Sequence, residues 1–208
     1  MPSLQQLCEA HSPLLVLDAA SSRVQVGWLP ASGAPRWRES AEEAGIGLFR
    51  ALQELDVAPG EAGAFVYCDG PGSILGVRTT AMAVRAWMVQ SPRPVFAYHS
   101  LALVAHGSAE RDVEFVADAR RESWHRYRVG AGLERVPANA LGARRAMPAG
   151  FRAWSALPAG LEIVPYTLPD LFAQAPEVDL FRAVQAPDAF LHEEPSYVTW
   201  TPSIHRAP

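Results

Sequence analysis

A mixed α/β fold in two lobes is predicted for this chain by three observations. Short apolar runs alternate with longer segments of helical period up to residue 110. A strand-like run ending in Asp-Ala and followed by a second strand occurs twice, at Asp18-Ala19 and at Asp118-Ala119, which suggests an internal duplication. The 208 residues, 49% of them hydrophobic, suffice for one or two compact cores and not for three. The expected division is 1–110 and a smaller, Pro-rich 111–208.

Along the chain, Leu14-Leu15-Val16-Leu17 reads as a buried strand ending in a turn at Asp18. Val24, Val26 and Trp28 alternate with Gln25 and Gly27, a second strand hairpinned to the first, and Arg36–Glu39 supplies a third. From Ala41 to Leu55 the positions Ile46, Leu48, Phe49, Leu52 and Leu55 recur at helical spacing, and Pro59-Gly60 stops the element. Ala64–Cys68 is a strand, Asp69-Gly70-Pro71-Gly72-Ser73 a tight turn, and Ile74–Gln90 a helix capped by Ser73. Pro94–Ala97 and a short helix Ser100–His106, with Ser100 as its cap, complete the first half. In the second half, Val113–Asp118 and Trp124–Val129 form a hairpin. Beyond Gly130 the chain reads as irregular, with ten of the eighteen prolines after residue 136. Only Leu161–Val164 and Tyr197–Trp200 read there as strands, and Asp170–Ala173 as a short helix.

Composition removes several kinds of chemistry. All eighteen basic residues are arginine, so a phosphate-loop lysine, a Schiff-base amine and a kinase lysine are excluded. The net charge of −4 excludes an all-round basic nucleic-acid binder. Locally, however, nine arginines stand against five acids between Arg111 and Arg152, a patch able to meet RNA phosphates or, more commonly, a self-compensated solvated surface, with Trp124 and Tyr127 able to stack on bases or, more often, simply to pack. No two of the six histidines stand three or four apart, so no helical metal site is expected. Cys8 and Cys68 form no CxxC pair and read as reduced packing thiols. The chain has no membrane-length apolar run and no visible secretory signal, so a cytoplasmic location is expected.

Three candidate sites follow from the residues. The Gly70-Pro71-Gly72-Ser73 turn aims backbone donors and a positive helix end at whatever approaches, an anion or a partner's carboxylate. The 74–89 helix is apolar nearly all round and demands cover, either from the 41–55 helix or from a partner protein. Asp18 and Asp118, with Ser21, could face a cleft as a vestigial nucleotide site holding a phosphate or magnesium, or could equally cap local amides.

The order of motifs resembles the TsaB (YeaZ) family in sequence and spacing: Leu14-Leu-Val-Leu-Asp18-Ala-Ala-Ser-Ser22, then Asp69-Gly-Pro-Gly-Ser-Ile-Leu-Gly-Val-Arg78, His99-Ser-Leu-Ala102, Ala117-Asp-Ala-Arg120 and Glu194-Pro-Ser-Tyr-Val198. The resemblance implies an actin-like, sugar-kinase-like (ASKHA) two-lobe fold and a non-catalytic protein without a cofactor of its own, ATP binding being weak or dependent on partners. It implies a TsaD-like protein as partner, a TsaE-like ATPase as a further one, and work on threonylcarbamoyladenosine in tRNA; a homodimer is expected when the chain is alone, and direct tRNA contact stays open. Its partner-binding helices would be 41–55 and 74–89, with Phe49, Leu52, Ile74, Leu75, Val77, Arg78, Ala81, Met82, Arg85 and Val89 at the interface. The chain departs from the family at Leu75, where Thr is usual, at Thr80, Met82 and Arg85, where small residues are usual, and at Thr199, where Arg is usual.

Overall fold

The structure, a computed structural model, describes residues 1–108, 110 and 112–190. A capped helix α1 (Leu4–His11) leads into the antiparallel strands β1 (Leu14–Asp18), β2 (Val24–Leu29) and β3 (Arg36–Ser40). Helix α2 (Ala44–Leu55), strand β4 (Ala64–Gly70), helix α3 (Ile74–Gln90), strand β5 (Val95–His99) and helix α4 (Ser100–Gly107) follow. The second half contains β6 (Glu114–Asp118), β7 (Ser123–Arg128), β8 (Gly132–Pro137), β9 (Arg145–Pro148), β10 (Leu161–Val164), α5 (Leu168–Gln174) and the two-residue strand β11 (Arg182–Ala183).

These strands make two mixed sheets flanked by helices. The first has the order β11-β5-β4-β1-β2-β3 and the second β10-β9-β6-β7-β8. In both, a three-strand antiparallel meander is extended on its first strand by two parallel strands, β4 and β5 in one sheet and β9 and β10 in the other. The duplication suggested by the two Asp-Ala turns is therefore present in the strand order. What differs is the connections: the first copy crosses over through α2 and α3, whereas among the described residues the second joins β8, β9 and β10 without an α-helix. One helix of each copy remains to pair with the other, α4 against α5.

Strand periodicity decides which core each residue enters. Leu14 and Val16 of β1, Val66 and Cys68 of β4, and Phe96 and Tyr98 of β5 belong to the cluster shared with α1, α4, α5 and the second sheet. Their neighbours Leu15, Leu17, Phe65, Tyr67, Val95 and Ala97 face the other way, onto Leu48, Leu52 and Leu55 of α2 and Ala81 and Val84 of α3. Each fully buried leucine of this kind stabilises the fold by about 2 kcal/mol.

Several expectations need correction. Helix α2 begins at Ala44, not Ala41, because Glu43 holds the extended cap conformation. Ser100 is not a cap: it lies inside α4, the cap position falls to His99, and the Ser100 hydroxyl donates to the Pro71 carbonyl at 2.5 Å. The stretch after Gly130 is not irregular, since β8 and β9 continue the second sheet. The expected strand Tyr197–Trp200 and the tail motif 194–198 lie outside the described residues. Cys8 and Cys68 are free thiols, Cys68 buried.

Candidate functional site: an exposed helix face and the cleft beside it

Helix α3 is apolar on two opposite sides for two different reasons. Val77, Thr80, Ala81 and Val84, spaced at helical period, are at most 1% exposed and lie inside the protein, the three apolar ones packing on strands of the first sheet. The Thr80 hydroxyl donates to the Gly76 carbonyl. Leu75, Met82 and Val89 are 74%, 58% and 87% exposed, with Arg78 and Arg85 between them, and Ile74 opens the same side. Phe49 and Ile46 of the adjoining α2 are also more than half exposed. Phe49 meets Trp87 of α3 edge-on, ring centres 6.4 Å apart, which ties the two helices into one surface. So Leu52, Val77 and Ala81, expected at a partner interface, are not there. They are spent on the protein's own core, and Thr80 likewise, while Ile74, Leu75, Arg78, Met82, Val89 and Phe49 remain outward. Arg85 is half-buried, its guanidinium 3.6 Å from the Asp188 carboxylate.

The Gly70–Ser73 turn is held against the β1–β2 turn. Ser73 donates its backbone N–H to the Ala20 carbonyl at 2.7 Å, and its hydroxyl accepts from the Gly76 N–H. A side chain at Gly72 or Gly76 would press on the Ala20 or Ala19 carbonyl oxygen, at 2.4 and 2.1 Å, and Gly70 and Gly72 have φ of 109° and 150°. The glycines are therefore required by close backbone approach as much as by conformation. This turn forms one wall of a cleft of about 1000 Å³; Ser21 and Ser22 line it, and Asp118, Arg120, Arg152 and Trp154 face it from the second sheet's side.

Asp18 and Asp118 do not form a facing pair. Each makes the same local turn: Asp18 Oδ1 accepts from the Ala20 N–H at 2.8 Å, and Asp118 Oδ1 from the Arg120 N–H at 2.5 Å. Their second oxygens differ. Asp18 Oδ2 is buried and accepts from the Tyr98 and Tyr166 hydroxyls, both at 2.6 Å, while Asp118 Oδ2 accepts from the Trp154 and Ser155 N–H groups, both at 2.6 Å. Only Asp118 lines the cleft. Burial drives the Asp18 carboxyl above its ordinary value despite its donors. Burial also pushes Asp118 upward, but the N–H groups of Ser155, Arg120 and Trp154 outweigh it and hold that carboxyl below its ordinary value.

Opposite pH dependences follow. Asp18, raised in the folded state, contributes stability that is fully present below about pH 4 and lost as pH climbs through its folded value. Asp118, lowered, contributes stability present above about pH 4 and lost as pH falls through its folded value. Urea midpoints measured across pH should show wild type losing ground to Asp18→Asn on raising the pH and to Asp118→Asn on lowering it. Curves of the same sign for both would contradict the two hydrogen-bond environments.

The basic stretch divides in the same way. Arg126 pairs with Glu114 and Glu134, Arg128 approaches Glu114, and Arg144 pairs with Glu110. Trp124 is fully buried and Tyr127 packs on the core beside His106, so both take the packing role of the two expected for them. The exposed aromatic is Trp154, which the sequence reading did not single out. Arg120 and Arg152 each place the guanidinium carbon 4.9 Å from its ring centre. The signal available was its neighbourhood of Arg152 and Pro-rich chain; its approach to Arg120 depends on the Asp118 clamp across 36 residues.

Among the described residues no group of three or more potential ligands is arranged for a metal ion, and no helix is long and apolar enough to cross a membrane. No protein-family model and no curated protein matches the chain. Solved structures do. YeaZ from Pseudomonas aeruginosa superposes with a TM-score of 0.59 at 20% identity, covering 86% of this chain and 99% of that one. An uncharacterized protein described as similar to peptidase YEAZ from Pseudomonas aeruginosa gives 0.55 at 21% identity, covering 77% and 88%. At these identities the likeness establishes the fold: this chain has the mixed α/β fold of YeaZ.

Proposed function

We propose that this protein is a non-catalytic accessory subunit of the TsaB (YeaZ) type, which binds a TsaD-like protein in the making of threonylcarbamoyladenosine on tRNA. The observation that carries the reading is the outward face of α2 and α3. Leu75, Met82 and Val89 form an apolar stripe on α3 that is left in water, with Phe49 of the adjoining α2 also exposed, on a helix pair already packed on its other side. Such a stripe is unfavourable in a lone molecule and fits helix-against-helix docking. The likeness to YeaZ and the Asp69–Arg78 motif support a TsaD-like protein as the partner. Cytoplasmic location follows from the same reading, and a TsaE-like ATPase would join as a further partner. Without the TsaD-like protein, the same stripe would pair two copies.

A non-catalytic role is supported by the state of the carboxylates. Asp18 is buried and engaged by the Ala20 N–H and the Tyr98 and Tyr166 hydroxyls, and it does not line the cleft. Asp118 is likewise occupied by three backbone donors.

Co-purification tests the reading. A tagged chain should retain the TsaD-like protein from its own cytosol, and Phe49→Asp, which sets a charge in a desolvated contact, should weaken association by several kcal/mol, about a hundredfold or more. Retention of the partner by Phe49→Asp at the wild-type level would reject this surface. Light scattering of the purified chain should show a dimer that gives way to a mixed complex on adding the TsaD-like protein.

A further inference from the structure

The Arg120, Arg152 and Trp154 cluster is the strongest feature the α2–α3 face does not use. Arg120, Arg121 and Arg152 have no carboxylate partner among the described residues, in contrast to Arg126, Arg128 and Arg144 of the same stretch. Arg120 and Arg152 come from different connections, β6–β7 and the segment after β9, yet converge on one indole that is 60% exposed. Two like charges held beside one ring repel each other, and cation–π contact at an exposed site returns only about 1 kcal/mol apiece. The arrangement therefore has to be enforced, and the enforcing group is Asp118, whose carboxylate accepts from the Arg120, Trp154 and Ser155 N–H groups and so locks both connections together. The β6–β7 connection is held in an unfavourable form as well: Arg120, Arg121 and Glu122 have φ of 62°, 51° and 58°, three successive left-handed residues without a glycine. Asp118 is engaged by backbone donors and Glu122 is the acid at the tip; the two guanidinium groups at the indole keep a local excess of positive charge.

We propose that this cluster is a binding site for single-stranded RNA, one base stacking on Trp154 and the phosphates on either side of it meeting the arginines. An exposed aromatic ring among unpaired guanidinium groups matches a flat base flanked by phosphates. A carboxylate patch on a protein would satisfy the arginines without using the indole. A free nucleotide carries its phosphates at one end, whereas a strand carries them on both sides of each base, and competition between the two separates them. The choice of RNA rests on the proposed role in tRNA modification; the site itself rests on the geometry.

Anisotropy of a short labelled single-stranded RNA tests it with the full chain. Wild type should bind with a salt dependence whose log–log slope is near −1.4, as about two phosphate contacts give on a single strand. Trp154→Ala should lose roughly tenfold or more, Trp154→Phe should recover most of that, and Arg120→Ala with Arg152→Ala should weaken binding and flatten the slope by about 1.4. None of these exposed substitutions should alter the circular dichroism. Absence of binding by wild type, unchanged affinity in both Ala variants, or competition by free nucleotide as effective as by the strand would overturn the proposal. The same variants should still co-purify with the TsaD-like protein. Wild type that retains that association but binds no RNA removes only this inference, and wild type that binds RNA but does not retain the TsaD-like protein removes only the proposed function.

Discussion

Asp18→Ala is expected to lower the free energy of unfolding by about 4 kcal/mol, because it strands two buried tyrosine hydroxyls as well as removing a turn-closing bond. In the native protein Asp18 Oδ2 accepts from Tyr98 on β5 and from Tyr166, just before α5, and Oδ1 accepts from the Ala20 N–H. Burial first, and then the nearby Asp18 carboxylate, hold both tyrosines well above their usual range, so they remain donors. Each unsatisfied buried hydroxyl costs about 1–3 kcal/mol, and domains of this kind have only about 5–15 kcal/mol to lose. The neighbouring Gln25 makes the same junction from a second point, its amide donating to the Tyr166 carbonyl and its oxygen accepting from the Leu168 N–H. Urea denaturation measures the loss. A change below about 1 kcal/mol would mean that Asp18 does not hold the first sheet to the 166–168 segment.

Gly76→Val is the second large effect. A Cβ at this position would lie 2.1 Å from the Ala19 carbonyl oxygen, which is backbone and cannot rotate away. Either α3 lifts from the β1–β2 turn or the turn deforms, and the Ser73 N–H to Ala20 bond goes with it. Overpacking of this kind costs about 3 kcal/mol or more. Gly45→Ala is the matching control: it lies in α2 with nothing within 4 Å of the added carbon, so it should be neutral or stabilise by about 0.5 kcal/mol. Equal urea midpoints for the two variants would show that the glycine-rich turn tolerates a side chain and that its contact with Ala19 is not structural.

What the sequence revealed and what it hid have separable causes. The β1–β2 hairpin, α2, α3 and the turn between β4 and α3 were legible because period, caps and glycines are local signals. The repeated Asp-Ala turn announced the duplicated strand order for the same reason. Helix α1 is hidden in the sequence although Ser3 and Gln6 form a capping box, because its eight residues bury only Leu4 and Leu7, too few to display a helical period. Strands β8 and β9 escaped for a physical reason: β8 is an edge strand with no fully buried position, and β9 is four residues ending in proline, fixed by parallel pairing to β6 and β10 rather than by its own pattern. On α3, apolar character alone could not tell the side packed on the sheet from the side in water. Val77 and Met82 look alike in sequence, and only the position of the sheet separates them. The carboxylate pair failed as a site because Tyr98 and Tyr166 claim Asp18 from 80 and 148 residues away.

The central claim is that the stripe from Leu75 to Val89 is a docking face for a TsaD-like protein, and titration calorimetry tests it most directly. Wild type titrated into that protein should give a saturable one-to-one heat with a negative change in heat capacity, the mark of apolar burial. Met82→Asp, in the middle of the stripe and 58% exposed, should fold normally and lose about a hundredfold in affinity. Saturable binding by Met82→Asp with the wild-type affinity, or no heat from wild type at all, would contradict the account.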